Sequence, residues 1–228
     1  LGLFLLWFGF FGFNAGSLVT VLTSPETPSH SILHQLMQER PTVYITTLRS
    51  RAAIETDLEY VAGDDLAVSI AEVGAAVRVE TRGLSRLTDS DIYSIETTDR
   101  RQVLDEVYDA IGDVDGPCNV IVDPMNPLER SDSRAAYQRL LQKTARHLRD
   151  QGALGLFHCI SSDDPPPLRD TTKTVADVVW GLEVTDSGRD DLAFKTHVPK
   201  NRGGEPVLEK LTLLLDHEQI YVDDSRAI

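Results

Sequence analysis

Four short runs of aliphatic and β-branched residues, Ser17–Thr23, Thr42–Thr47, Asn119–Val122 and Ala153–Ile160, are separated by stretches whose apolar residues fall at helical spacing. Each run is apolar at most positions rather than at every second one, so each reads as a strand that must be covered on both faces. Helices supply the cover. Ile32, Leu33, Leu36 and Met37 lie at helical spacing within Ser29–Arg40, which ends before Pro41, and Arg51–Tyr60 reads as a second helix ended near Gly63. Asp99–Ile111 places Val103, Leu104, Val107 and Ile111 on one face. Ser131–Asp150 is a long helix carrying Leu140, Leu141, Ala145 and Leu148, closed by Gly152 as its C-cap. Alternating strands and helices require right-handed crossovers, and these build a parallel sheet between two helical layers.

Beyond Ile160 the pattern changes. A proline-rich loop, Ser161–Leu168, and a short helix around Thr172–Ala176 lead into a strand at Val178–Val184. Leu192–Val198, Val207–Leu215 and Gln219–Val222 then follow as strands separated only by turns, with a glycine break at Arg202-Gly203-Gly204. Such a run adds antiparallel strands at one edge of the sheet. Asp64–Asp91 is ambiguous and offers one short strand, Ala76–Val79, among helix and loop. The expected architecture is one α/β domain over residues 14–228, with three αβα layers, a mainly parallel sheet and a C-terminal antiparallel β-meander.

Charge narrows the partners. The 228 residues carry 36 acidic and 22 basic side chains, a formal net charge of −14. That balance repels phosphate backbones, so nucleic acid is not an expected partner. The acids are 23 Asp to 13 Glu and the bases 17 Arg to 5 Lys. A Lys-poor, Asp-rich surface suits solution in molar salt, where screening removes most of the self-repulsion, and a halophilic source is expected. Cys118 and Cys159 form no CxxC pair and read as small buried thiols in a reducing cytoplasm. On neighbouring parallel strands their Cα atoms should stand about 15 Å apart, beyond disulfide reach. Leu1–Phe13 (LGLFLLWFGFFGF) is apolar, and the first charge is Glu26. The run is shorter than the roughly 20 residues a bilayer needs, and it lacks a basic flank. It is expected to be a truncated or misassigned start rather than a membrane anchor.

In an open parallel sheet ligands gather at the carboxyl ends of the strands. Here these are the turn after Thr23, the end of the second strand at Thr47, and Asp123. The residues around them resemble the RecA-like ATPases, in particular the KaiC-like and RadA-like branch, over about Asn14–Ile228. Asn14–Leu22 resembles the strand leading into the Walker A loop, and Glu39–Thr47 the second strand. Asn119–Asp123 is similar to a Walker B strand. Lys200-Asn201-Arg202-Gly203 resembles the KxRG element, which in ring-forming members reaches the neighbouring subunit's nucleotide. The resemblance implies ATP and Mg²⁺ as ligands, held around Ser24, Ser29, His30, Ser31 and Asp123, with Ser31 and Asp123 on the metal. It implies Lys200 and Arg202 as a finger acting in trans, the alternative being that Arg202 only holds the Gly203-Gly204 turn between two strands. A homo-oligomer or a related RecA-like ATPase would be the partner.

The departures from that family are as informative. A P-loop needs glycines for a nest of N–H groups, a Lys for the phosphates and a Ser or Thr for Mg²⁺. The corresponding stretch, Ser24-Pro25-Glu26-Thr27-Pro28-Ser29-His30-Ser31, has no glycine, places His30 at the Lys position and adds an acid. Pro28 removes a donor and restricts Thr27. Leu48-Arg49 stands where the family keeps an acidic pair, leaving Asp123 as the Walker B remnant. The expectation is a degenerate nucleotide site with weak or no ATP binding, no hydrolysis, and a regulatory or scaffold role. The alternative is a working KaiC-like ATPase with an unorthodox loop.

Other polar features read as structure. Glu26, His30 and His34 are spaced by four, as a metal site could be, but read as a polar helix N-terminus. His158 is expected to be a hydrogen-bonded core residue and His147 a solvated position. Ser161–Asp164 lacks a GxSxG elbow and reads as loop. Asp223–Arg226 resembles the family's C-terminal tail.

Overall fold

The computed structural model describes residues 16–27, 33, 37, 40–62, 67–74, 97–185, 192–204, 206–215 and 220–222. Leu1–Phe13, Ser29, His30, Ser31, His34, the expected strand Ala76–Val79 and the tail Asp223–Arg226 lie outside the described residues.

Among the described residues, nine strands form one sheet in the order β3-β2-β4-β5-β1-β6-β7-β8-β9. They are β1 (Leu18–Thr23), β2 (Thr42–Thr46), β3 (Val68–Glu72), β4 (Asn119–Asp123), β5 (Leu154–Ile160), β6 (Val178–Thr185), β7 (Leu192–Asn201), β8 (Val207–Leu215) and β9 (Ile220–Val222). The first six pair in parallel. The last three add on as antiparallel neighbours beside β6. The RecA-like α/β architecture with a C-terminal meander is therefore present.

Helices α1 (Arg51–Ala62), α2 (Thr97–Gly112), α3 (Asn126–Glu129), α4 (Arg134–Gln151) and α5 (Arg169–Val175) connect the strands. Handedness assigns them to faces. Connections moving from β5 toward β3 cross on one face and those moving the other way cross on the opposite face. The two core clusters follow this division. Leu33 and Met37, both helical, pack with Ile54 and Leu58 of α1 against Val19, Val21, Tyr44, Ile121 and Leu156. Leu104, Val107 and Ile111 of α2 pack with Tyr137, Leu141 and Leu148 of α4 against Leu18, Val120, Val122 and Phe157. Alternate residues of β1 and β4 thus enter opposite cores, as the two-residue strand period demands.

Glycine is required at two places beneath α4. Gly152 ends the helix at φ 66. Gly16, at φ 91, runs so close below Arg149 that an added Cβ would lie 2.9 Å from its Cα.

One expectation fails. Val68–Glu72 forms the edge strand β3, within a stretch whose alanines and acids favour helix. Its period-two pattern, with Ile70 buried between exposed Ser69 and half-buried Ala71, is the signal.

Both cysteines are free and buried. Cys118 lies just before β4, and its carbonyl accepts from Leu154 N, while Cys159 is five residues further along β5. Burial, and then the carboxylate of Glu129, push the Cys159 thiol well above its ordinary range. An Ellman-type reagent at about pH 8 should leave Cys159 unlabelled in the folded protein and titrate both thiols after unfolding, because the thiolate is the reactive form. Native-state labelling of Cys159 at a free-thiol rate would contradict this placement.

Candidate functional site

Four residues on adjacent strands meet at the carboxyl end of the sheet. Thr23 ends β1, Tyr44 is in β2, Asp123 ends β4 and His158 is in β5. Strand alternation places all four on the face covered by α1. Thr23 follows Val19 and Val21, Asp123 follows Ile121, and His158 follows Leu154 and Leu156, all members of one core cluster. Register sets them on a diagonal. Val122 stands level with Phe157, which brings Asp123 level with His158. Tyr44 stands level with Ile121, two residues short of Asp123, and Thr23 stands two residues beyond the level of His158.

Side chains close the diagonal into a chain. His158 Nδ1 lies 2.5 Å from Asp123 Oδ1, and the Tyr44 hydroxyl donates to Asp123 Oδ2. His158 Nε2 lies 2.8 Å from Thr23 Oγ1. Thr23, Tyr44, Asp123 and His158 are at most 3% exposed. With Nδ1–H donating to the carboxylate, a neutral ring accepts from the Thr23 hydroxyl. A hydroxyl both donates and accepts, so the contact survives either ring state. Burial, and then Asp123, hold the Tyr44 phenol well above its ordinary range and keep it a donor. His158 is therefore a hydrogen-bonded core residue, as expected, although its partners are not evident from the local sequence.

The turn after β1 is closed by its own backbone. Thr27 N donates to Ser24 O at 3.0 Å, and the Ser24 and Thr27 hydroxyls lie 2.8 Å apart. Pro25 occupies the second turn position, which its fixed φ suits. Pro25 and Glu26 are exposed while Thr27 is buried.

At the end of β2, Leu48 is 55% exposed. Arg49 turns back onto α1, with Nη1 2.6 Å from Asp57 and Nη2 3.4 Å from Ala53 O. Thr46 Oγ1 accepts from Arg49 N and donates to Arg49 O. Thr47 pins this loop to β4, its N–H donating to Asp123 O and its hydroxyl to Pro124 O.

A second buried network lies under the loop after β5. Arg169 Nε donates to Glu129 Oε2 at 2.7 Å, and its Nη2 donates to Ile160 O at 3.1 Å. Thr172 Oγ1 donates to Glu129 Oε1 at 2.5 Å and accepts from the Tyr137 hydroxyl at 2.7 Å. The Cys159 thiol lies 3.6 Å from the same carboxylate oxygen. Burial, and then Glu129, raise the Tyr137 phenol well above its ordinary range, so it too stays protonated. No sequence motif marks Glu129 or Arg169; full burial of both charges is the sign that they are paired.

Lys200 and Arg202 sit at the opposite, amino end of the parallel strands, where Val178 pairs with Asn201. Lys200 Nζ donates to Lys173 O and Thr174 O at the C-terminus of α5. Arg202 donates to Asp177 Oδ1 and Thr174 O, and Asp177 in turn accepts from Leu18 N. Both cations thus satisfy carbonyls that a helix end leaves open. His147, expected to be solvated, is half-buried with Nε2 3.0 Å from Val114 O, because α4 packs on the end of α2 there.

Among the described residues no cluster of three or more His, Cys, Asp or Glu could hold a metal ion, and no helix is long and apolar enough to cross a membrane.

The sheet order and layers are those of a RecA-like α/β fold. A KaiC-like protein from the hyperthermophilic archaeon Pyrococcus horikoshii OT3 superposes over 92% of this chain and 90% of its own, with a TM-score of 0.58 and 14% sequence identity. At that identity the likeness concerns the fold alone. Residues 11–228 match the family described as Family of unknown function (DUF7125), and the chain belongs to it. No curated protein matches the chain.

Proposed function

We propose that this chain is a RecA/KaiC-like protein whose nucleotide site has become a closed hydrogen-bond network, and that it acts as a regulatory or scaffold module without hydrolysing ATP. The observation that carries the reading is the Asp123 carboxylate. A Walker B aspartate must offer an oxygen to the hydration shell of Mg²⁺. Here Oδ1 faces His158 and Oδ2 accepts from Tyr44, in a group 3% exposed. Opening that network for a metal would take the acceptor from the buried Nδ1–H of His158 and from the buried Tyr44 hydroxyl.

The neighbouring loops fit a nucleotide no better. A phosphate nest needs successive free N–H groups. Pro25 has none, and the N–H of Thr27 is bonded to Ser24 O. Glu26 adds a negative charge beside the place a phosphate would take. Leu48 and Arg49 supply no carboxylate to orient an attacking water. Ser29, His30 and Ser31 remain candidates from the sequence only. The trans role of Lys200 and Arg202 has less support than a local one, since both spend donors on α5 and Asp177.

Calorimetry with ATP and Mg²⁺ in molar KCl, paired with a phosphate-release assay, is the test. The expected result is no saturable heat and no Mg²⁺-dependent turnover above background. Turnover that disappears in the isosteric variant Asp123→Asn would overturn the proposal, because it would require Asp123 to serve the metal.

A further inference from the structure

Helices α2 and α4 lie side by side in one layer and run in the same direction, since both return between parallel strands. Their outer faces carry opposite charge. From Gln102 to Asp115 the chain has five acids, Asp105, Glu106, Asp109, Asp113 and Asp115, and no cation. Over Arg134–Gln151 it has five cations, Arg134, Arg139, Lys143, Arg146 and Arg149, and one acid, Asp150. In a protein of net charge −14 that cationic face is the exception.

The two stripes do not neutralise each other within the chain. Asp105, Asp109, Asp113, Arg139, Lys143 and Arg146 are all exposed, and among the described residues none of them forms an ion pair. Arg139 Nε reaches only Ala135 O, and Lys143 lies over the Tyr108 ring, 4.6 Å from its centre.

We propose that this face binds a second copy of the chain as a two-fold dimer, with α2 of each copy lying on α4 of the other. A two-fold axis running along the helices, between α2 and α4, exchanges the stripes and preserves heights along the axis. The Lys143–Tyr108 contact sets Lys143 level with Tyr108. At about 1.5 Å of rise per residue, Asp105 then stands about 1.5 Å from the level of Arg139, and Asp109 about 1.5 Å from that of Lys143. By the same count Asp113 is about 1.5 Å from the level of Arg149 and about 3 Å from that of Arg146. Each acid stripe therefore meets the partner's cations in register. Tyr108, 39% exposed, lies between the stripes near the axis and supplies the aromatic anchor that such interfaces concentrate at their centres.

The contact is the size of two short helices, so it belongs with the smaller, weaker interfaces, and charge complementarity makes it salt-sensitive. Sedimentation of the full chain from 0.1 to 3 M KCl should give a monomer–dimer equilibrium whose Kd rises at least tenfold with salt. The decisive comparison uses two surface variants. Asp105→Lys with Asp109→Lys makes the face predominantly basic, and Arg139→Glu with Arg146→Glu makes it predominantly acidic. Each should be monomeric alone at low salt, and an equimolar mixture should form heterodimers. Joining all four substitutions in one chain should restore the homodimer. A monomeric parent at every salt concentration, a dimer indifferent to salt, or variants that still self-associate would each overturn the proposal. So would a mixture of the two variants that stays monomeric.

Discussion

Glu129→Ala is expected to cost about 3–5 kcal/mol of folding stability, read as a shift in urea midpoint at neutral pH with unchanged slope. The substitution leaves the Arg169 guanidinium, 4% exposed, with Ile160 O as its remaining acceptor, and it removes the close acceptor of the Thr172 hydroxyl, leaving only Leu168 O at 3.5 Å. Arg169→Ala should cost a similar amount, because it strands a carboxylate at 0% exposure. The double variant should cost clearly less than the two singles added together, since each single variant is penalised mainly for the charge it leaves behind. A loss below about 1 kcal/mol for either single variant would mean that the pair is open to water, in conflict with its burial.

The pair matters beyond its energy because of what it holds. Leu168 N donates to Glu129 O, and Asn126 exchanges hydrogen bonds with both backbone groups of Ile160, continuing the pairing of β5 past the end of β4. The proline-rich loop Ser161–Leu168 is thereby fixed at its far end by a buried ion pair and at its near end by Ser161 N on Thr23 O. Loosening Glu129 should therefore be felt at the end of β1, where the candidate site begins.

The sequence reveals strands and helices more readily than it reveals either network. A run such as Asn119–Asp123 is apolar because both its faces are covered, and that composition is local. β8 at Val207–Leu215 and the C-cap at Gly152 are legible for the same reason. The edge strand β3 is not, because an edge buries one face at most and Val68-Ser69-Ile70-Ala71-Glu72 then mixes helix-favouring residues into a period-two pattern. Asp123 is visible as an acid at the tip of an apolar strand. Its partners are not. Tyr44 is 79 residues away and Thr23 lies 135 residues from His158, so only strand order and register bring them together. Once the order β2-β4-β5-β1 is known, parity alone places the four side chains on one face. Glu129 and Arg169, 40 residues apart, have no pattern that pairs them in advance.

His158→Ala is the second substitution expected to have a large effect, again about 3–5 kcal/mol. It removes the donor to Asp123 Oδ1 and the partner of Thr23 Oγ1 together, and it opens a cavity among Val21, Leu156 and their neighbours in the same core. Tyr44→Phe removes one donor from the same carboxylate and leaves the ring in place, so about 1–3 kcal/mol is expected. Thr23→Val, which keeps the shape and strips the hydroxyl, should cost least, near 1 kcal/mol, because a neutral contact is lost rather than a charged one. The ranking His158→Ala, then Tyr44→Phe, then Thr23→Val follows from Asp123 being the charged hub. A protein in which Asp123 faced solvent to meet a metal would give a different ranking. Loss of His158 would then cost only its packing, and Tyr44→Phe would be close to neutral. Urea unfolding of the three variants, followed by tryptophan fluorescence, separates the two arrangements. A Tyr44→Phe variant as stable as the parent would show that the carboxylate is not closed off within the fold.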